Sequence, residues 1–167
     1  STFVPRAAPS IARVTVDPSR TSGRAVTLRQ REAVVAFAPV ACEAPSRCLL
    51  TAAGKTLVVW GRRDGRPLHT VSLPSSAVEV VPWSGGVVAT RTRQGTVLLV
   101  DLRRERVVRQ LRAPDRVDSI AADPRRHLVA AGLADGSVLV WNTTTQRLET
   151  RYEPHLKPVL ALDVANG

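Results

Sequence analysis

The feature that most constrains this fold is an internal repeat of about 40 residues. A short segment of β-branched and apolar residues follows a turn three times, at 55–60, 95–100 and 136–141. The spacings between successive copies are 40 and 41 residues. A β-sandwich also has short strands and frequent turns, but it does not require a period of this length. The repeat therefore predicts a β-structure built from copies of one unit.

Three other strand patterns keep the same period. Val-rich opening strands are predicted at 34–39, 78–82, 117–124 and 159–164. Intermediate strands are predicted at 48–52, 86–92 and 127–132. More polar strands follow each turn-led strand, at 67–73, 107–111 and 147–152. Polarity rises toward the fourth strand, as expected when strands run outward from a central channel to a solvent edge.

The turn-led strands resemble those of the WD-repeat β-propeller family, in which the third strand often follows Asp-Gly and ends in Trp-Asp. Asp135-Gly136 through Trp141-Asn142 is similar to that pattern, and Trp60-Gly61 and Val100-Asp101 are degenerate copies of its end. The family's Gly-His pair has a weak counterpart in Pro154-His155. The resemblance covers roughly residues 33–164 and implies an all-β propeller of four-stranded antiparallel blades, divergent in sequence.

This assignment of strands predicts about four blades in the sequence. Residues 1–32 are predicted to form the outer strands of a partial blade, with strands at 12–17 and 25–28, and 154–167 to form the first strand of a closing blade. Complete blades are predicted at 33–73, 74–113 and 114–153. Three complete blades cannot close a ring. We therefore expect part of a seven- or eight-bladed ring whose other blades come from the same polypeptide, a second chain or a partner; the alternative is four blades closed by the two ends.

Basic charge is the second strong feature, because the net charge is +10. Of the 24 basic residues, only Lys55 and Lys157 are lysines, a bias that either reflects a GC-rich coding sequence or indicates an acidic partner such as RNA or an acidic protein surface. In a propeller, the loops joining first to second and third to fourth strands lie on one face. Three arginine pairs and a tryptophan are predicted to form a binding site on that face: Arg62, Arg63, Arg103, Arg104, Arg125, Arg126 and Trp83.

Catalytic motifs are absent from the sequence: it has no nucleophile elbow, phosphate-binding loop or metal-ligand set. Cys42 and Cys48 are six residues apart, and we expect two free thiols in a reducing compartment, or else a local disulfide. No enzyme activity, cofactor or metal is predicted. The residues Trp60, Asp101, Asp135, Gly136, Trp141 and His155 are expected to serve the repeat structurally.

The WD-repeat resemblance implies a scaffold that binds other proteins in a larger assembly. The alternative is a ribonucleoprotein component whose arginine-rich face contacts RNA phosphates, since aromatic residues for base stacking are scarce. No apolar run is long enough for a membrane helix. A cytoplasmic or nuclear location is expected, with an organelle left open.

Overall fold

The computed structural model describes residues 32–41, 47–61, 65–83, 85–145, 147–152 and 159, together with the short strands at 11–13 and 27–29. Within these residues the protein is all-β and has no helix, so no helix among them could cross a membrane. The predicted fold class is therefore confirmed. Most of the residues predicted to form the partial and closing blades lie outside the described part.

Three four-stranded sheets follow one another along the chain, and we call them the first, second and third blades. The first blade contains β3 (Val34–Ala41), β4 (Arg47–Ala53), β5 (Thr56–Trp60) and β6 (Pro67–Ser72). The second contains β7 (Ala77–Pro82), β8 (Val87–Thr92), β9 (Val97–Asp101) and β10 (Arg106–Leu111). The third contains β11 (Val117–Asp123), β12 (Leu128–Leu133), β13 (Val138–Asn142) and β14 (Arg147–Tyr152). A separate pair joins β1 (Ile11–Arg13) and β2 (Thr27–Arg29).

Within each blade the strands pair in chain order, all antiparallel. Burial falls from the third strand to the fourth: every residue of β9 is buried, and every residue of β14 is exposed. The alternation of charged and apolar residues in the fourth strands therefore marks the outer rim, as the sequence predicts.

Bulges recur at the same places in all three blades. The first strand skips one residue after Val34, Ala77 and Val117. The fourth strand carries one extra residue near its start, namely Leu68, Val108 and Glu149. A bulge is a defined local distortion of a strand. Bulges at matching places therefore identify the three sheets as copies of one unit. It also fixes which residues are equivalent, so Trp60, Val100 and Trp141 share one position.

Apolar side chains pack between blades rather than within a single central core. One cluster joins the first and second blades through residues such as Leu57, Val59 and Leu98. Another joins the second and third blades through residues such as Leu99, Ile120 and Leu139. We call the side of a blade that packs on the following blade its front face, and the side that packs on the preceding blade its back face. The back face of the first blade carries a small cluster of its own.

Backbone hydrogen bonds fasten each blade to the turn of the one before. The N–H of Ala77 donates to the carbonyl of Gly54 at 2.8 Å, and the N–H of Val117 donates to the carbonyl of Gly95 at 3.1 Å. Beyond the third blade, the N–H of Val159 lies 3.4 Å from the carbonyl of Leu133, and the Ser119 hydroxyl donates to the Val159 carbonyl at 2.8 Å. Residue 159 thus reaches the third blade near its turn, as the first residues of the second and third blades reach theirs.

The expectation of two free thiols is wrong. Cys48 lies buried in β4 within the first junction and is disulfide-bonded. Cys42, the one other cysteine of the sequence, lies outside the described residues. The argument from free thiols to a reducing compartment therefore no longer holds.

Candidate interaction face

Two turns of the same construction present arginine pairs. Asp101-Leu102-Arg103-Arg104-Glu105 joins β9 to β10, and Asp123-Pro124-Arg125-Arg126-His127 joins β11 to β12. In the first turn, Asp101 Oδ1 accepts hydrogen bonds from the N–H groups of Arg103 and Arg104, both at 3.0 Å. In the second, Asp123 Oδ1 accepts from Arg125 and Arg126 at 2.9 and 3.2 Å. We name them the Asp-Arg turns.

The side chains of both aspartates are buried, so each turn is held by a carboxylate within the protein. Burial raises the pKa of Asp101, but the N–H and guanidinium of Arg104 and the N–H of Arg103 outweigh that effect. The pKa of Asp101 is therefore lowered from 3.8. A carboxylate ionised at neutral pH can hold both backbone N–H groups, which makes the turn rigid.

Ion pairing reduces the positive charge that the turns present to a partner. The second arginine of each pair faces its own aspartate, with Arg104 Nη1 3.2 Å from Asp101 and Arg126 Nε 3.8 Å from Asp123. Each turn thus carries two arginines against one carboxylate. The sequence predicts the arginine pairs but does not show that half of their charge is balanced locally.

Trp83 lies in the β7–β8 loop, between the two turns. Its ring meets the ring of His127 edge to face, with centroids 6.3 Å apart. On the other side of this loop, a Cβ at Gly86 would lie 3.3 Å from Arg103 Nε. Both Asp-Arg turns therefore contact one loop, and the described part of the predicted binding site forms one surface.

Trp83 is itself half-buried against the core of the second junction. Its Nε1 is buried and has no hydrogen-bond partner. A buried donor without a partner costs about 1–3 kcal/mol. Trp83 therefore contributes to packing as well as to the surface.

The last residue of each Asp-Arg turn adopts a left-handed backbone conformation. Glu105 has φ 54° and His127 has φ 57°, and both are non-glycine residues. The sequence predicted that His127 begins the strand at 127–132. It lies in the turn instead and is exposed, and its carbonyl accepts from the N–H and hydroxyl of Thr143, both at 2.8 Å.

Several expected structural residues stabilise the blades. In the Asp135-Gly136 turn, Asp135 Oδ1 accepts from the N–H and hydroxyl of Ser137 at 2.8 and 2.6 Å, and Gly136 has φ 88°. These bonds to Ser137, the hydroxyl first, lower the pKa of Asp135 from 3.8. Trp141 is buried in the second junction.

The indole of Trp60 donates to the buried Thr51 hydroxyl at 2.7 Å. The second blade has Val100 in place of this tryptophan, and there the equivalent Thr90 hydroxyl donates to the Glu79 carbonyl at 2.8 Å. Each buried hydroxyl therefore has a partner, although the tryptophan is present in only one of these two blades.

Three predicted residues, Arg62, Arg63 and His155, lie outside the described part of the chain. The sequence missed a link between blades, in which His69 Nδ1 lies 3.1 Å from Glu105 Oε1. These residues are 36 positions apart, and only the offset of one blade against the next brings them together. Among the described residues, no group of three or more His, Cys, Asp or Glu side chains could hold a metal ion.

Comparison with known proteins gives one curated relative and many related structures. The chain is 25% identical over 96 residues to the pre-rRNA-processing protein IPI3 of Mycosarcoma maydis, a match that spans 56% of this chain and 16% of the relative. No family model matches the chain. The match thus spans a small part of that relative.

Among solved structures, Sqt1 of Saccharomyces cerevisiae matches with a TM-score of 0.68 and 16% identity, over 83% of this chain and 44% of Sqt1. The WD40 repeats of RRP9 match with a TM-score of 0.61 and 22% identity, over 70% of this chain and 38% of theirs. The computationally designed protein Ika4 matches with a TM-score of 0.66 and 20% identity, over 82% of each chain. These likenesses show the fold.

Proposed function

Since this chain is a WD-type β-propeller protein, we propose that it is a non-enzymatic scaffold that binds another protein through the face formed by the Asp-Arg turns. The observation that carries the proposal is that both turns are held by buried carboxylates and contact the one loop that bears Trp83. A rigid surface that joins arginines and a tryptophan has the residue types that contribute most to protein interfaces.

An acidic segment of the partner fits this face best. Arg103 and Arg125 are the first arginines of their turns, and both are exposed. Arginine offers a planar fork for carboxylates. The two turns, on neighbouring blades, would then bind two acidic groups on either side of the Trp83 loop.

The carboxylates that hold turns, on the face of the Asp-Arg turns and on the opposite face, support a structural role rather than a catalytic one. Asp101, Asp123 and Asp135 each accept backbone hydrogen bonds within their own turns. A general base needs a lone pair directed toward substrate and a pKa near the working pH. The lowered pKa values of Asp101 and Asp135 move away from that range.

The test is quantitative affinity purification from the source cells, comparing the wild type with the double variant Arg103→Glu/Arg125→Glu. We expect at least a tenfold loss of the specific partner, since each reversal places a carboxylate against an acidic group. The matched control is Arg93→Glu/Arg112→Glu, two exposed arginines in loops of the opposite face. Equal loss in both variants would contradict the assignment of the site.

RNA is the second candidate ligand, favoured by the name of the pre-rRNA-processing relative and by the net charge of +10. Binding would depend on contacts with phosphates. The logarithm of the affinity for a single-stranded or hairpin RNA would therefore fall linearly with the logarithm of the salt concentration. The Arg103→Glu/Arg125→Glu variant should then lose affinity and show a shallower salt slope, measured by gel shift or fluorescence anisotropy. Unchanged binding in this variant would count against RNA recognition at this face.

A nuclear location accords with that relative's name, and we propose the nucleus or the cytoplasm as the site of action. Fluorescence microscopy of the tagged protein in its source cells would decide between them.

A further inference from the structure

We propose that Gly86 is a positioning residue of the interaction face. Because it carries no side chain, Arg103 lies across it, with its guanidinium group held in position for an acidic group of the partner. The inference rests on the proposed function and deepens it, since it names the residue that gives Arg103 its place. It follows from the contacts between the Asp-Arg turn at 101–105 and the β7–β8 loop.

The backbone at Arg103 is fixed on both sides. The N–H of Arg103 donates to Asp101 Oδ1 at 3.0 Å. The preceding residue, Leu102, donates its N–H to the carbonyl of Gly86 at 2.9 Å, and its side chain is buried in the first junction. The turn is therefore attached to the β7–β8 loop at Gly86 itself, so the Cα of Arg103 has little freedom to move relative to that loop.

The side chain of Arg103 runs over Gly86. A Cβ placed at Gly86 would lie 3.3 Å from Arg103 Nε, 3.4 Å from its Cγ and 3.6 Å from its Cδ. A side chain longer than that of alanine would therefore need the space that Arg103 occupies. Since Nε joins the aliphatic chain to the guanidinium plane, the contact at Nε limits where the guanidinium group can point.

A guanidinium group that is already in position binds at a lower entropic cost. Arg103 is exposed, and a long exposed side chain ordinarily loses rotamer freedom when a partner immobilises it. The contact along Gly86 removes part of that loss before binding. Because the planar fork of arginine matches a carboxylate, we expect an Asp or Glu side chain of the partner at this place.

The neighbouring glycine supplies a matched control from the same loop. Gly85 and Gly86 both have left-handed backbone conformations, with φ 60° and 85°. Among the described residues, no atom lies within 4 Å of a Cβ placed at Gly85, whereas a Cβ at Gly86 meets Arg103. Asparagine tolerates left-handed backbone better than most other residues. Gly85→Asn and Gly86→Asn should therefore cause similar backbone strain, and only Gly86→Asn should displace Arg103.

The first measurement is the heteronuclear ¹H–¹⁵N NOE of the Arg103 Nε–H group, which reports the order of this side chain without any ligand. We expect an ordered value in the wild type and in Gly85→Asn, and a value near that of a freely moving arginine in Gly86→Asn. Equal values in the two variants would overturn the proposal. A freely moving Arg103 in the wild type would overturn it without any variant.

The second measurement is the affinity for a fluorescein-labelled deca-glutamate peptide, by fluorescence anisotropy at fixed salt. We expect Gly86→Asn to weaken binding by about threefold to tenfold, and Gly85→Asn to leave it unchanged. Adding Gly86→Asn to Arg103→Ala should cause no further loss, whereas adding it to Arg125→Ala should cause the full loss. A loss that persists in the Arg103→Ala background would overturn the proposal, because the loop would then affect binding by another route.

The two measurements separate failure of this inference from failure of the proposed function. A peptide that binds the wild type and Gly86→Asn equally well would refute the positioning role and leave the interaction face intact. If the NOE values differ as expected but the peptide does not bind the wild type, the positioning of Arg103 is confirmed and the acidic partner is refuted.

Discussion

The junctions between blades can be compared with the two end faces, which are the back face of the first blade and the front face of the third. Both are built from the same positions of the repeat, but the side chains at those positions differ in exposure. Ile120 and Phe37 are equivalent by strand register, yet one is buried and the other stands in solvent. Leu111 and Tyr152 differ in the same way. At these positions a residue's place in its own strand is therefore not enough to determine its burial, which depends on what packs against that face of the blade.

The largest effect should come from truncating the buried member of such a pair. Ile120→Ala removes side-chain volume from the second junction and should lower the free energy of unfolding by about 3 kcal/mol. Phe37→Ala should lower it by less than about 1 kcal/mol, because its side chain is 70% exposed. Denaturant titration measures both, and similar losses would contradict the comparison.

A second prediction concerns the small cluster on the back face of the first blade. Thr51→Ala leaves the buried indole N–H of Trp60 without its acceptor and should cost about 2 kcal/mol. Trp83 already lacks an acceptor for its indole N–H, so Trp83→Phe should cost less than Thr51→Ala despite the larger loss of surface. Thermal unfolding of the two variants measures both losses of stability and so compares this end face with a junction.

Acid sensitivity should depend more on the middle blade than on the end blade. Asp101 has a lowered pKa, so its stabilisation is present at neutral pH and is lost as the pH falls below the unfolded value of about 4 and through the folded one. Asp101→Asn should lower stability at pH 7 by about 2 kcal/mol and flatten its decline in acid. Asp135→Asn, at an exposed carboxylate of the third blade, should change that profile less.

The smallest effect is expected at the left-handed turn positions. His127→Gly relieves a side chain at φ 57° and should change stability by less than about 1 kcal/mol, toward greater stability. Glu105→Gly should gain less, because it also removes the contact with His69 between the first two blades. Equal gains in the two variants would mean that the His69–Glu105 link contributes nothing to the junction.

Much of the fold could be predicted from the sequence because the repeat is local and periodic. The four strand patterns predicted the order of β3 through β14, and Asp135-Gly136 marked a turn whose geometry needs that glycine. The predicted domain boundaries, including the partial and closing blades, remain predictions. The repeat period indicates which residues are equivalent, but it does not indicate which blades have neighbours.

The candidate face was less accessible to sequence reasoning. The arginine pairs were visible, but the spacing of Asp101 to Arg104 indicates an ion pair only when the turn is known. The His69–Glu105 contact and the Trp83–His127 contact cross from one blade to the next, so no local pattern encodes them. The disulfide at Cys48 stood only as the alternative to free thiols, because the spacing of two cysteines in sequence does not determine the proximity of their sulfur atoms.

The hydrogen bonds that attach each blade to the preceding turn also determine how the array comes apart. The middle blade is fastened on both sides, through Ala77 N–H and the Gly95 carbonyl, whereas β14 pairs with β13 alone among the described strands. Couplings between nearest neighbours make unfolding progress from the ends, one unit at a time. Amide protons of β9 should therefore be the last to exchange, and those of the exposed strand β14 among the first.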